Sequence, residues 1–219
     1  MRFSFIKNIS IDSTTGFPYL KEKLSVPFSM KNGFAHIRNA TIGNVKYKNC
    51  HPYTMKDNGG RRWTLIHNGT IFDYRPLNKY IKIQDGSTDS ERILLYIVDL
   101  INRCEQELKR PMNEAERFQL LDSVIADMAK GNKVNLMLYD GDLFYVHTNY
   151  ANSLYELDKE NQILFSTTPL TKEEWHPVTF TTLQAFRQGK KIFMGTNHGN
   201  EYRDSEENTK FMYSIFAGI

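Results

Sequence analysis

Three polar segments hold the residue types that could do chemistry. The first is "WTLIHNGTIFDY" (63–74), where apolar residues run up to His67-Asn68-Gly69. Asn-Gly is ordinary turn material, because both residues tolerate positive φ. The side-chain amide of Asn68 and the backbone N–H of Gly69 are also the kind of donors that hold an oxyanion. The second segment is "AHIRNATIGN" (35–44), in which Arg38 ends an apolar run and Thr41 follows. A guanidinium there suits a carboxylate bidentately, or simply ties down a loop. The third is "GSTDSE" (86–91), with Asp89 at the start of a helix. Its charge there is explained by the helix dipole alone, and it would equally hold an ammonium group. Arg38 and Asp89 together suit the two charged ends of a free amino acid. Asn68 and Gly69 suit the tetrahedral oxyanion formed from a side-chain amide. The combination describes glutamine better than any segment does separately.

Other candidates are weaker. Cys50 and His51 in "NCHPY" are adjacent, and neighbours in an extended chain point to opposite faces. "NHGN" (197–200) reads as a turn. His36, His147 and His176 are scattered without metal-ligand spacing, and no metal or cofactor is expected. Trp175, in "STTPLTKEEW", reads as a packing lid.

The elements that must position these residues follow from periodicity. "FSFI" (3–6), "GFAHIR" (33–38) and "WTLIH" (63–67) read as strands, with a turn-rich loop between the last two. Thr88 and Glu91 fit a capping box. Behind them Ile93, Leu94, Ile97, Leu100, Ile101, Cys104 and Leu108 share one helix face. A second helix starts at Asn113 with Glu116 completing its cap, carries Leu120, Leu121, Val124, Ile125 and Met128, and is stopped by Gly131. Three hairpins follow. They join 134–139 to 143–148 across Asp140-Gly141, 153–157 to 163–167, and 180–186 to 191–196. Residues 205–216 read as a short capped helix. Strands, two helices and meandering strands make an α+β fold, with the helix pair packed on an antiparallel sheet.

Composition bounds the rest. The 219 residues carry a formal charge of +3 with dispersed basic residues, which excludes the clustered basic stripe of a nucleic-acid binder. Two cysteines without metal-type spacing fit a reducing compartment. No signal peptide or membrane-length apolar run is present, so a soluble cytoplasmic protein is expected.

In this order, "HIRNATIGN", "NCHPY", "WTLIHNG", "GSTDSE" and "FSTTPLTKEEW" resemble the class II glutamine amidotransferases, and among them the small stand-alone bacterial branch. The resemblance covers almost all of the chain, residues 1–219 forming one such domain. It implies the N-terminal-nucleophile hydrolase fold, an αββα sandwich of antiparallel sheets. It implies hydrolysis of the glutamine side-chain amide to glutamate and ammonia, with no cofactor. Arg38 and Thr41 would hold the glutamine carboxylate and Asp89 its α-amino group. Asn68 and Gly69 would form the oxyanion hole. The family's nucleophile is a cysteine at the mature N-terminus, whereas residue 2 here is Arg2, and a glycine-tryptophan-glycine segment is also absent. The leading segment and its strands are therefore expected to be missing from this sequence. Three readings follow: an enzyme domain that is incomplete as it stands, a glutamine-binding pseudoenzyme, and an interaction subunit completed by a partner. Glutamine or a related amide is the expected ligand, and an ammonia-accepting protein the expected partner of a complete form.

Overall fold

A computed structural model of the chain describes Gly33 and residues 47–160 and 162–217. The predicted strand 3–6 and, apart from Gly33, the predicted strand 33–38, together with Arg38 and Thr41, lie outside the described residues. A six-stranded antiparallel sheet runs in the order β1-β2-β3-β4-β8-β9. Its strands are β1 (Tyr53–Lys56), β2 (Arg62–His67), β3 (Leu136–Tyr139), β4 (Phe144–His147), β8 (Gln184–Arg187) and β9 (Lys190–Met194). A three-stranded sheet, order β6-β5-β7, is built from β5 (Tyr155–Lys159), β6 (Gln162–Ser166) and β7 (His176–Pro177). The helices are α1 (Asp89–Leu108), α2 (Glu114–Met128) and α3 (Glu206–Ala217).

Alternation along the strands assigns the faces. Trp63 and Leu65 of β2, Leu136 and Leu138 of β3, Tyr145 of β4 and Ala185 of β8 share one core with Ile93, Ile97 and Ile101 of α1 and Leu121 and Ile125 of α2. Their in-between neighbours Val146 and Phe186 join Leu154 and Val178, with Met137, Phe144, Ile163 and Phe165 packed against them. Helices thus cover one face of the large sheet and the small sheet packs on the other. This is the layering of an α+β sandwich of the N-terminal-nucleophile type.

The three predicted hairpins are all present. In the first, Asp140 Oδ1 accepts the N–H groups of Asp142 (2.9 Å) and Leu143 (2.7 Å), and Gly141 has φ +92°. That is the local Asx chemistry which makes Asp-Gly a turn. Helix α2 carries the full reciprocal capping box between Asn113 and Glu116. Helix α1 carries half of one. Thr88 Oγ1 accepts from Glu91 N–H, but the Glu91 carboxylate turns back to the N–H groups of Asp85 and Gly86. Leu108, at the last position of α1, is exposed rather than part of the buried face. Strand β1 forms inside the stretch expected to be loop. It is short and, among the described residues, sits at the sheet edge with β2 as its partner, so its sequence needs little strand character.

Candidate functional site

The ends of β2 and the start of α1 meet on the helix side of the large sheet. His67 is the last residue of β2 and is buried. Its Nε2 lies 3.2 Å from the Lys133 carbonyl, so this nitrogen carries the proton. Nδ1 is then an acceptor and takes the Ser90 hydroxyl at 3.1 Å. Burial holds the His67 imidazole below its ordinary range, against the opposite pull of Asp89. The ring is a neutral strut between α1 and the backbone leading into β3.

Asp89 opens α1 and is buried. Its Oδ2 accepts Ile71 N–H at 2.8 Å and its Oδ1 accepts Ser90 N–H at 2.8 Å. One carboxylate therefore ties the chain beyond Gly69 to the helix N-terminus, where the dipole favours its charge. A carboxylate offers about four lone-pair directions, so two backbone bonds leave room for an incoming cation.

Between these anchors the chain is not a hairpin turn. Asn68 N–H donates to Asn135 carbonyl at 2.8 Å, and Thr70 and Lys133 exchange N–H···O bonds of 2.9 and 3.1 Å. The segment thus continues beside the backbone that leads into β3. Gly69 is not in the left-handed region. Its need is space. A Cβ there would stand 2.0 Å from the Lys133 carbonyl oxygen and 2.4 Å from His67 Nε2. The Asn68 side chain is exposed. Its amide and the Gly69 N–H make no hydrogen bond among the described residues.

A third motif reaches the same place. Asn49 Nδ2 donates to Ser87 Oγ at 3.1 Å, Ser87 N–H donates to Asn49 Oδ1 at 2.8 Å, and Tyr53 OH lies 2.7 Å from Thr88 Oγ1. The segment holding Cys50 therefore lies against the loop that starts α1, and Cys50 itself is buried. Cys104 packs against the core from the flank of α1, as its helix face predicts. "FSTTPLTKEEW" begins in β6 of the small sheet and runs into an exposed loop.

The family model for class-II glutamine amidotransferases matches residues 22–161. The chain belongs to the class-II glutamine amidotransferases. Among curated relatives of this amidotransferase domain, a Haemophilus influenzae protein named for the same activity is 28% identical over 185 residues, covering 74% of this chain and 62% of that one. An Escherichia coli protein similarly named is 32% identical over 135 residues, covering 60% and 51%. The glutamine–fructose-6-phosphate aminotransferase of Bacillus subtilis is 34% identical over 153 residues, covering 64% of this chain and 25% of its own length. The chain spans about half to three-fifths of the length of the first two relatives. The crystal structure of a Pseudomonas aeruginosa glutamine amidotransferase, assigned as such by prediction, superposes with a TM-score of 0.53 at 22% identity. It covers 67% of this chain and 65% of that one, a likeness of fold.

Sequence reasoning passed over the residues that hold this site from behind. Asn132 Oδ1 accepts the N–H groups of Phe72 (2.6 Å) and Asp73 (3.1 Å), fixing the chain after Gly69. Lys133 and Ser90 hold His67. The one local hint is "GNKVN" (131–135), where two asparagines flank a strand start and both are buried.

Proposed function

We propose that this domain binds glutamine at the junction of β2 and α1 and, with a thiol nucleophile, hydrolyses its side-chain amide. Asp89 takes the α-ammonium group, Arg38 and Thr41 the α-carboxylate, and the Asn68 amide with Gly69 N–H the side-chain carbonyl oxygen. The reading is carried by one observation. Two separate motifs converge through the Asp89–Ile71 and Ser90–His67 bonds, while the Asn68 amide and Gly69 N–H keep their donors uncommitted among the described residues. In the reaction a thiolate adds to the amide carbon and the carbonyl oxygen becomes an oxyanion held by those donors. Collapse expels the nitrogen, which leaves with a proton as ammonia. Water then cleaves the thioester to glutamate and regenerates the thiol. Ammonia passes to water or to an acceptor protein.

A second reading, in which the site binds glutamine without turning it over, is favoured by the cysteines. Cys104 packs against the core on the flank of α1, and Cys50 is buried. An oxyanion site without its nucleophile keeps only a fraction of the catalysis. The two readings separate in a glutaminase assay on the 219-residue chain beside a form extended to an upstream Met-Cys, where the gene encodes one. Glutamate release only from the extended form supports hydrolysis through that cysteine. Release from the chain itself, abolished by Cys50→Ser, moves the chemistry to Cys50. Calorimetry showing unchanged glutamine affinity in Arg38→Ala overturns the pocket assignment.

A further inference from the structure

Two histidines outside the proposed chemistry stand behind the same loop. His147 ends β4, has no solvent exposure, and lies across β3 from His67, both facing Leu136 in register. His147 Nδ1 is 2.7 Å from the Val134 carbonyl and so carries a proton. His147 Nε2 is 2.9 Å from His198 Nε2, so His198 must donate there. His198 Nδ1 in turn accepts Asn200 N–H at 3.0 Å. One arrangement of protons satisfies every contact, with both rings neutral. Burial agrees, lowering His198 and taking His147 down to about 3. The rings also stack, with centroids 5.2 Å apart.

Successive carbonyls are thereby held by imidazoles, Lys133 by His67 and Val134 by His147. Asn149 adds a third hold, its Oδ1 accepting Val134 N–H at 2.8 Å and its Nδ2 donating to the Asn132 and Asn200 carbonyls. The Lys133 carbonyl is the group against which Gly69 is pressed.

We propose that His147 and His198 are positioning residues for the Gly69 peptide, fixing the Lys133–Val134 backbone that sets where the Gly69 N–H points. Its meaning for catalysis rests on Gly69 being an oxyanion donor. The mechanical link does not.

The test uses the full chain labelled with ¹⁵N. Long-range histidine spectra should show His147 as the Nδ1–H tautomer. In His198→Phe, which keeps the ring and removes the donor, Thr70 N–H should exchange about tenfold faster, the order set by losing roughly one net hydrogen bond behind it. The Gly69 amide resonance should move with it. His198→Gln, whose amide N–H stands where Nε2–H stood, should restore both, and Ile97 in α1 should exchange at its original rate in all three proteins. Unchanged Thr70 exchange in His198→Phe overturns the proposal. So does an equal acceleration at Ile97, which would make the pair merely structural, and so does failure of His198→Gln to restore either signal. Glutamine titrated into the unmutated chain tests the other reading separately. No response at Gly69 removes the substrate assignment and leaves the Thr70 result to judge the imidazole pair.

Discussion

Gly69→Ala tests whether close approach, rather than backbone conformation, demands a glycine in the middle of the site. Gly69 has no left-handed φ, so alanine costs nothing in backbone strain. It costs space. The new Cβ would lie 2.0 Å from the Lys133 oxygen, and ordinary contact begins at 3.4 Å, so the carbonyl must retreat by about 1.4 Å. A retreat of that size breaks the Thr70–Lys133 pair, which now stands at 2.9 and 3.1 Å, and strips His67 Nε2 of its acceptor. Overpacking of this kind costs about 1–3 kcal/mol. Each net hydrogen bond lost adds about 0.5–1.5 kcal/mol. With those three bonds lost on top of the overpacking, the expected loss is at least about 2.5 kcal/mol, read as the change in unfolding free energy from urea denaturation at pH 7.5. Gly131→Ala supplies the contrast. There φ is +70° with nothing within 4 Å, so the cost is only the left-handed backbone, about 1–2 kcal/mol. Glutamine affinity should fall in Gly69→Ala and hold in Gly131→Ala, since a displacement above 1 Å takes an N–H out of hydrogen-bond range. A Gly69→Ala protein within about 0.5 kcal/mol of the original, the scatter of ordinary surface changes, refutes the close-approach argument.

Asp140→Asn should cost about 3–5 kcal/mol in chemical denaturation. Asp140 is fully buried, pairs with the buried Arg117 at 2.8 Å and accepts Tyr145 OH at 2.9 Å, so the change leaves a buried guanidinium whose remaining carboxylate is Asp142 at 3.9 Å. A loss under about 1 kcal/mol would contradict this. Stability should also fall as pH drops below 6.5. His67 and His147 stay neutral when folded, both held low by burial, while the unfolded chain takes up protons near 6.5. Each ring removes up to about 1.4 kcal/mol per pH unit, and His147 does so down to about 3. Melting temperatures that do not change between pH 6.5 and 5 would count against it, and His147→Gln should reduce the slope.

What the sequence made legible is what local chemistry decides. The Asp140-Gly141 turn, the Asn113–Glu116 cap and the apolar face of α1 each depend on residues within a few positions of one another. β1 was hidden because it is short and, among the described residues, leans on β2 at the sheet edge. The role of Gly69 was hidden for a different reason. Asn-Gly carries the local signature of a turn, and the partner that overrides it, Lys133, is 66 residues beyond His67. Nothing near position 69 announces a carbonyl arriving from there. The same holds for "NHGN", which is a turn by composition yet supplies through His198 the donor that fixes His147.

Asp89 shows why a structural and a functional account of one residue need not compete. Its two backbone bonds explain its burial and its place at the helix start completely. Those same bonds fix both oxygens relative to Ile71, and Ile71 lies two residues after Gly69 along a backbone clamped by Thr70–Lys133. A carboxylate held this way does not have to be ordered when a ligand arrives, which removes part of the cost of binding. Substitution should therefore move fold and affinity together. Asp89→Ala is expected to lose about 1–3 kcal/mol of stability through the orphaned Ile71 N–H, as well as its hold on an ammonium group. Asp89→Asn separates the effects. It can keep one backbone acceptor while removing the charge, so it should retain more of the stability than Asp89→Ala and still fail to bind glutamine by calorimetry. An asparagine variant that binds as tightly as the original would leave Asp89 with its structural role alone.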